Sequence, residues 1–188
     1  EFRELDCGFD YYAPQSFSDG GRRLQFGWMG MPDAAYTNPT VEQGWQHCLT
    51  VPCEIKRDGE RLLRVPAREV SALRGERIPA ERAQVFDMVC RTENAGMLVI
   101  RGAAVIEWDG QQLSLTLAQG GAGRTVRYAD VDAVKNLRVL ADASSLEIFV
   151  NGGAQVMTTR YYPDPASCGV QMEGAQAEIW AMGALQIQ

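Results

Sequence analysis

The stretch Ser145-Leu146-Glu147-Ile148-Phe149-Val150-Asn151-Gly152-Gly153-Ala154-Gln155-Val156-Met157-Thr158-Thr159 decides the fold. Two short runs rich in β-branched and aliphatic residues, Leu146 to Val150 and Ala154 to Thr159, flank Asn151-Gly152-Gly153, a strong hairpin turn signal. Alternation is visible in Leu146-Glu147-Ile148-Phe149-Val150. Phe149, at a position that alternation would leave polar, indicates that both faces of this strand are partly covered.

Short runs of this kind recur on either side, bounded by Asp-Gly, Gly-Gly and proline signals. Downstream of residue 80 they predict strands at Gln84 to Arg91, Met97 to Arg101, Ala104 to Trp108, Gln112 to Leu117, Thr125 to Tyr128 and Asn136 to Ala141. Gly169 to Met172 and Glu178 to Ile187 follow the central hairpin, and Asp109-Gly110 marks another turn. Many short strands at regular spacing point to a β-sandwich. Upstream, Tyr11 to Phe17 and Arg23 to Met29 read as a hairpin across Ser18-Asp19-Gly20-Gly21. A loop from Met31 to roughly Gln43 follows, where Pro32 and Pro39 block regular structure. Leu49 to Lys56 and Leu62 to Val65 form a second hairpin across Arg57-Asp58-Gly59-Glu60. Ala67 to Arg74, ending at Gly75, gives the one convincing helical turn or two. The chain therefore divides near residues 55 to 65, with a front part too short to be a domain alone and a remainder that makes a complete sandwich.

The 188 residues carry 18 basic and 24 acidic side chains, a formal charge of −6, with a pI near 4.9. That balance argues against a nucleic-acid or anionic-membrane surface. With 46% apolar residues the chain is not a disordered tail, and its length supports a substantial core without disulfide staples. No apolar run approaches a membrane span, so a soluble protein is expected. Cys7, Cys48, Cys53, Cys90 and Cys168 are odd in number and irregularly spaced, which excludes a disulfide framework and favours a reducing cytoplasm. Cys48, Cys53 and His47 could form half a metal site, but no second pair completes it, and buried thiols are the better reading. The chain opens at Glu1 without a charged-then-apolar leader, and the missing initiator methionine suggests that Glu1 is not the natural start. Asn38-Pro39-Thr40 is disqualified as a glycosylation acceptor by its proline.

The densest cluster of chemically capable side chains lies at the front: Asp6, Asp10, Tyr11, Tyr12, Trp28, Trp45 and His47. Carboxylates grip hydroxyl pairs and aromatic rings cover the apolar face of a sugar, so this set suits a carbohydrate site. Asp6 and Asp10 even suggest a glycosidase acid and nucleophile. The alternative makes them a turn stabiliser and a strand-edge charge, with the aromatics in core packing. Residue types alone favour that second reading, because such clusters are common. His47 reads as a loop anchor rather than a catalyst.

The order of residues carries more than their types. Leu5-Asp6-Cys7-Gly8-Phe9-Asp10-Tyr11-Tyr12-Ala13-Pro14-Gln15-Ser16-Phe17 closely resembles a signature of the family-32 glycoside hydrolases, the β-fructofuranosidases. The resemblance continues through Gly27-Trp28-Met29-Gly30-Met31-Pro32 and Gly44-Trp45-Gln46-His47-Cys48-Leu49-Thr50-Val51-Pro52. It then covers Ser145 to Gly153, with Thr159-Arg160-Tyr161-Tyr162-Pro163. These four ordered blocks extend over nearly the whole chain, and the phrasing around Trp28 and His47 is most similar to bacterial sucrose or sucrose-6-phosphate hydrolases. Cys53 departs from the family, which usually has an arginine there, as does Cys7, which replaces an aromatic residue.

The resemblance implies an all-β architecture: residues 1–55 as the end of a five-bladed catalytic β-propeller, 56–80 as a linker with a short helix, and 81–188 as the C-terminal β-sandwich. The family nucleophile lies in a Trp-Met-Asn-Asp-Pro-Asn-Gly-like motif, the transition-state stabiliser in Arg-Asp-Pro, and the acid in a Glu-Cys pair. None of these motifs occurs in this sequence. The sole Asp-Pro, Asp164-Pro165, follows Pro163 in an expected sandwich turn. The catalytic trio is thus expected upstream of Glu1, and the chain alone should not hydrolyse anything. The resemblance also implies substrate-binding roles for Asp6 and Trp28, with Asp10 and Tyr12 as further candidates. The substrate would be a fructoside, sucrose or its 6-phosphate, with no cofactor and no metal; the sandwich edges leave room for a homo-oligomer. A non-catalytic sugar-binding or assembly module is the alternative.

Overall fold

The computed structural model describes residues 3–31, 37–118 and 124–184, and among these every regular element except three short 3-10 turns is a β-strand. Five strands form the first sheet: β1 (Tyr12–Asp19), β2 (Arg22–Met29), β3 (Cys48–Leu49), β4 (Cys53–Asp58) and β5 (Arg61–Pro66). The order is β1-β2-β4-β5, with β3 also pairing β2, and these neighbours run antiparallel to one another. An antiparallel meander of this kind is the form of a propeller blade. Gly20 and Gly21 join β1 to β2, and both sit at positive φ as a tight hairpin between right-twisted strands requires.

Nine strands form the second sheet: β6 (Arg74–Arg77), β7 (Phe86–Ile100), β8 (Ala104–Trp108), β9 (Gln112–Leu117), β10 (Val126–Asp130), β11 (Asn136–Ala141), β12 (Ser145–Val150), β13 (Gln155–Arg160) and β14 (Val170–Met182). The sheet is folded into two layers. The first half of β7 pairs with β11 while its second half pairs with β8, and β14 follows β7 along both halves. Side chains from the two layers meet in one core, with Leu98, Ile106 and Leu115 facing Met88, Val139, Ile148 and Met157. This is the packed interior of a sandwich.

Three expectations change. Gln84 to Arg91 and Met97 to Arg101 are parts of one strand, as are the two runs expected near Gly169 and Glu178. The polar stretch between the apolar runs resembles a turn, but its backbone continues the ladder around the sandwich corner. The helix expected at Ala67 to Arg74 is a 3-10 turn, Arg68–Leu73. The first sheet extends through β5 to Pro66, past residue 55, because β5 completes the β4 hairpin. Pro32 and the expected strand end at Ile187 lie outside the described residues.

β12 and β13 are buried on both faces. Phe149 and Val156 point away from the main core into a second cluster with Leu24, Cys53, Ala67 and Val70. The first sheet and the segment after it therefore cover the outer face of the β12–β13 hairpin.

Candidate functional site

Residues 6 to 10 run beside β13 before β1 begins. The amides of Cys7 and Phe9 donate to the carbonyls of Val156 (2.8 Å) and Thr158 (2.9 Å), so the segment lies along β13. Gly8 permits this approach: a Cβ there would stand 2.1 Å from the Thr158 oxygen.

That path takes both candidate aspartates inside. Asp6, with 1% of its side chain exposed, pairs with Arg64 at 2.5 Å, itself 2% exposed. It also accepts from the Thr158 amide (2.9 Å), the Thr158 hydroxyl (2.6 Å) and the Gly8 amide (2.8 Å). The Arg64 guanidinium donates onward to Thr158 and lies 4.0 Å from the centre of the Tyr11 ring. Both oxygens of Asp6 are occupied by groups that join the first sheet to the sandwich. Asp10 is fully buried and accepts from Arg124, the Thr159 hydroxyl and the Arg160 amide. Buried carboxylates need partners of this kind, and these two have them on the sandwich.

Tyr12 and Trp28 lie together elsewhere. β1 and β2 place them directly opposite one another, with ring centres 6.1 Å apart in an edge-to-face arrangement. Half of Tyr12 is exposed. His47 packs edge-on to Trp28 at 4.7 Å, and Leu49 of β3 is the direct neighbour of Trp28 across the ladder. Gly30 is what lets the indole and imidazole converge, since a Cβ would lie 2.6 Å from one and 2.7 Å from the other. The result is a partly open aromatic surface of the sort that covers a sugar ring.

Several residues that organise this region escaped the sequence reading: Arg64, Arg124, Glu147 and Arg160. Charged residues in short strands look like solvated faces when read one strand at a time. Glu147 shows the difference, because Oε1 accepts from the Val51 amide (2.8 Å) and Oε2 has no partner among the described residues. Burial pushes its carboxyl up to about 7. The cysteines are free; burial raises Cys53 to about 12 and, with Asp6 beside it, Cys7 to about 11. These are packing thiols rather than nucleophiles. Among the described residues no cluster of three His, Cys, Asp or Glu side chains could hold a metal, and no helix is long and apolar enough to cross a membrane.

A blade-like sheet bound to a β-sandwich defines a two-part, all-β protein. Residues 1–66 match the N-terminal domain of the glycosyl hydrolases family 32 and residues 92–182 match the C-terminal domain. The chain belongs to glycosyl hydrolase family 32. It is 32% identical to sucrose-6-phosphate hydrolase of Bacillus subtilis, covering 89% of this chain and 39% of that protein. It is 39% identical to sucrose-6-phosphate hydrolase of Klebsiella pneumoniae, covering 85% and 36%. The structure of sucrose-6-phosphate hydrolase from Lactobacillus gasseri superposes with a TM-score of 0.84 at 22% identity, covering 95% of this chain and 42% of that one. A Bombyx mori family-32 β-fructofuranosidase in complex with sucrose gives 0.78 at 21% identity, covering 96% and 42%. The chain thus spans about two-fifths of the length of these relatives.

Proposed function

We propose that the chain is the C-terminal portion of a retaining β-fructofuranosidase acting on sucrose or sucrose 6-phosphate. The observation that carries the reading is the presence of both family domains, in order, on one chain whose first sheet is bound to its sandwich through Asp6 and Arg64. In this reading the nucleophile and general acid stand on upstream blades and cleave the fructosyl bond through a fructosyl-enzyme intermediate. Trp28 and Tyr12 supply an apolar wall of the pocket. Asp6 and Asp10 act one step removed from the sugar, holding the strand entry that leads into Tyr12. The free cysteines fit residence in a reducing cytoplasm.

The test is to follow the reading frame upstream of the Glu1 codon and express the complete polypeptide. Sucrose and sucrose 6-phosphate hydrolysis are then monitored by NMR, which reports the anomer released. Release of β-fructofuranose, lost on Trp28→Ala without loss of fold, is the expected result. A frame that opens at Glu1, or a complete polypeptide that releases no fructose from either compound, sinks the proposal. In that case sugar binding by the chain itself becomes the activity to measure.

A further inference from the structure

The side chain of Arg160 begins on β13 in the sandwich and ends among residues of the first sheet. It is fully buried. On the sandwich side Nε donates to the Ser144 carbonyl (2.9 Å) and Nη2 to the Ser144 hydroxyl (3.0 Å). On the other side Nη1 donates to the Gln46 carbonyl (3.1 Å) and the Cys48 thiol (3.3 Å), the two residues that flank His47. The indole of Trp45 lies 4.9 Å from the guanidinium carbon. One fixed planar group therefore holds residues 45, 46 and 48 at once. Among the described residues no carboxylate pairs with it. A buried cation with neutral partners is a costly way to close a joint, and it is better explained by the geometry it enforces.

What it enforces is the placement of His47. That ring rests on Trp28, and its neighbour Cys48 pairs with Met29, next to Trp28 in β2. We infer that Arg160 is a positioning residue that sets the orientation of the Trp28 indole from the sandwich, acting through the Gln46-His47-Cys48 segment. This deepens the fructosidase reading and rests on it for the meaning of Trp28, although the positioning itself does not require a sugar. It assigns the sandwich a part in shaping the pocket wall, beyond stabilising the sheet it covers.

The experiment is fluorine NMR of the chain carrying 5-fluorotryptophan at its four tryptophans, each resonance assigned from a Trp→Phe variant. Arg160→Lys keeps a buried cation but cannot bind both sides of His47, and Arg160→Met removes the cation. In both, the Trp28 and Trp45 resonances should shift while Trp108 and Trp180 stay in place. Should Arg160→Met fail to fold, Arg160→Lys and His47→Ala decide. His47 is exposed, and its removal should move Trp28 without disturbing the joint. In the complete polypeptide, Arg160→Lys should raise KM for sucrose about tenfold, the size of one lost aromatic contact, with kcat little changed. An unmoved Trp28 resonance in folded Arg160→Lys, or in His47→Ala, overturns the inference. A Trp28 resonance that moves in both variants while sucrose leaves it unchanged in the unsubstituted complete polypeptide upholds the positioning and refutes the fructosidase reading instead.

Discussion

Glu147 shows how far a single side chain's chemistry depends on what covers it. In the hairpin sequence it is the polar member of an alternating strand, yet the first sheet closes over it and leaves one oxygen without a partner among the described residues. Desolvation holds its carboxyl near 7, against 4.5 for the free group. Below about pH 4.5 both folded and unfolded chains are protonated and the burial carries no ionisation cost. Between 4.5 and 7 the folded protein keeps a proton that the unfolded chain releases, so stability falls as pH rises and levels off above 7. The loss amounts to a few kcal/mol, roughly 3. Urea unfolding across pH 4 to 8 should show that decline, and Glu147→Gln should remove most of it, because the amide keeps the bond from Val51. Asp6→Asn leaves Arg64 buried beside a neutral partner and should cost about 3–5 kcal/mol in the same assay. Trp28→Ala, on the half-open aromatic surface, should cost far less stability while removing the fructoside contact proposed for that ring.

At the scale of elements, the sandwich depends on the corner where β7 and β14 turn together from one layer to the other. The ladder is interrupted between Glu173 and Ala175, and Gly174 takes a φ of +63° there. A Cβ at Gly174 would lie 2.2 Å from the Ala95 oxygen, and one at Gly96 would strike the Trp108 ring at 2.3 Å. Thermal unfolding should therefore separate two glycines of similar φ. Gly102→Ala, at +64° with open space around it, should lose about 1 kcal/mol from backbone strain alone. Gly174→Ala adds a clash with main chain that cannot rotate away, and should lose more than about 2 kcal/mol. Equal losses would show that the corner yields. The strands and their turns were legible from apolar runs and Asp-Gly or Gly-Gly signals. The continuity of β7 and β14 was not, because Thr92-Glu93-Asn94-Ala95-Gly96 carries turn-like residues whose hydrogen bonds are supplied by strands distant in sequence.

In the whole molecule the two sheets are joined by backbone and by buried charge: residues 7 and 9 on β13, Asp6 on Arg64 and Thr158, Val51 on Glu147, and Arg160 on the loop bearing His47. Such contacts predict one cooperative unit. Hydrogen exchange should give β2 and β12 the same opening free energy, and Asp6→Asn should let β2 open first. If β2 already opens independently in the unsubstituted chain, the joint is weaker than its geometry implies. Every residue of β1 is exposed, including Phe17, which stacks on Phe26. An uncovered edge strand invites pairing, so light scattering should show concentration-dependent association of the chain, reduced by Phe17→Lys.

By itself the sequence determined that this protein is all-β, where most of its strands and turns fall, and which family its four ordered blocks resemble. These are local properties: apolar period, turn chemistry and residue order are carried within a few positions. It also gathered Asp6, Asp10, Tyr12 and Trp28 into one candidate set. Only the tertiary structure divided that set, because burial is decided by what arrives from more than a hundred residues away. β13 draws the two aspartates into the joint with Arg64 and Arg124, while the β1–β2 register leaves Tyr12 and Trp28 facing outward on an aromatic surface held from the sandwich side.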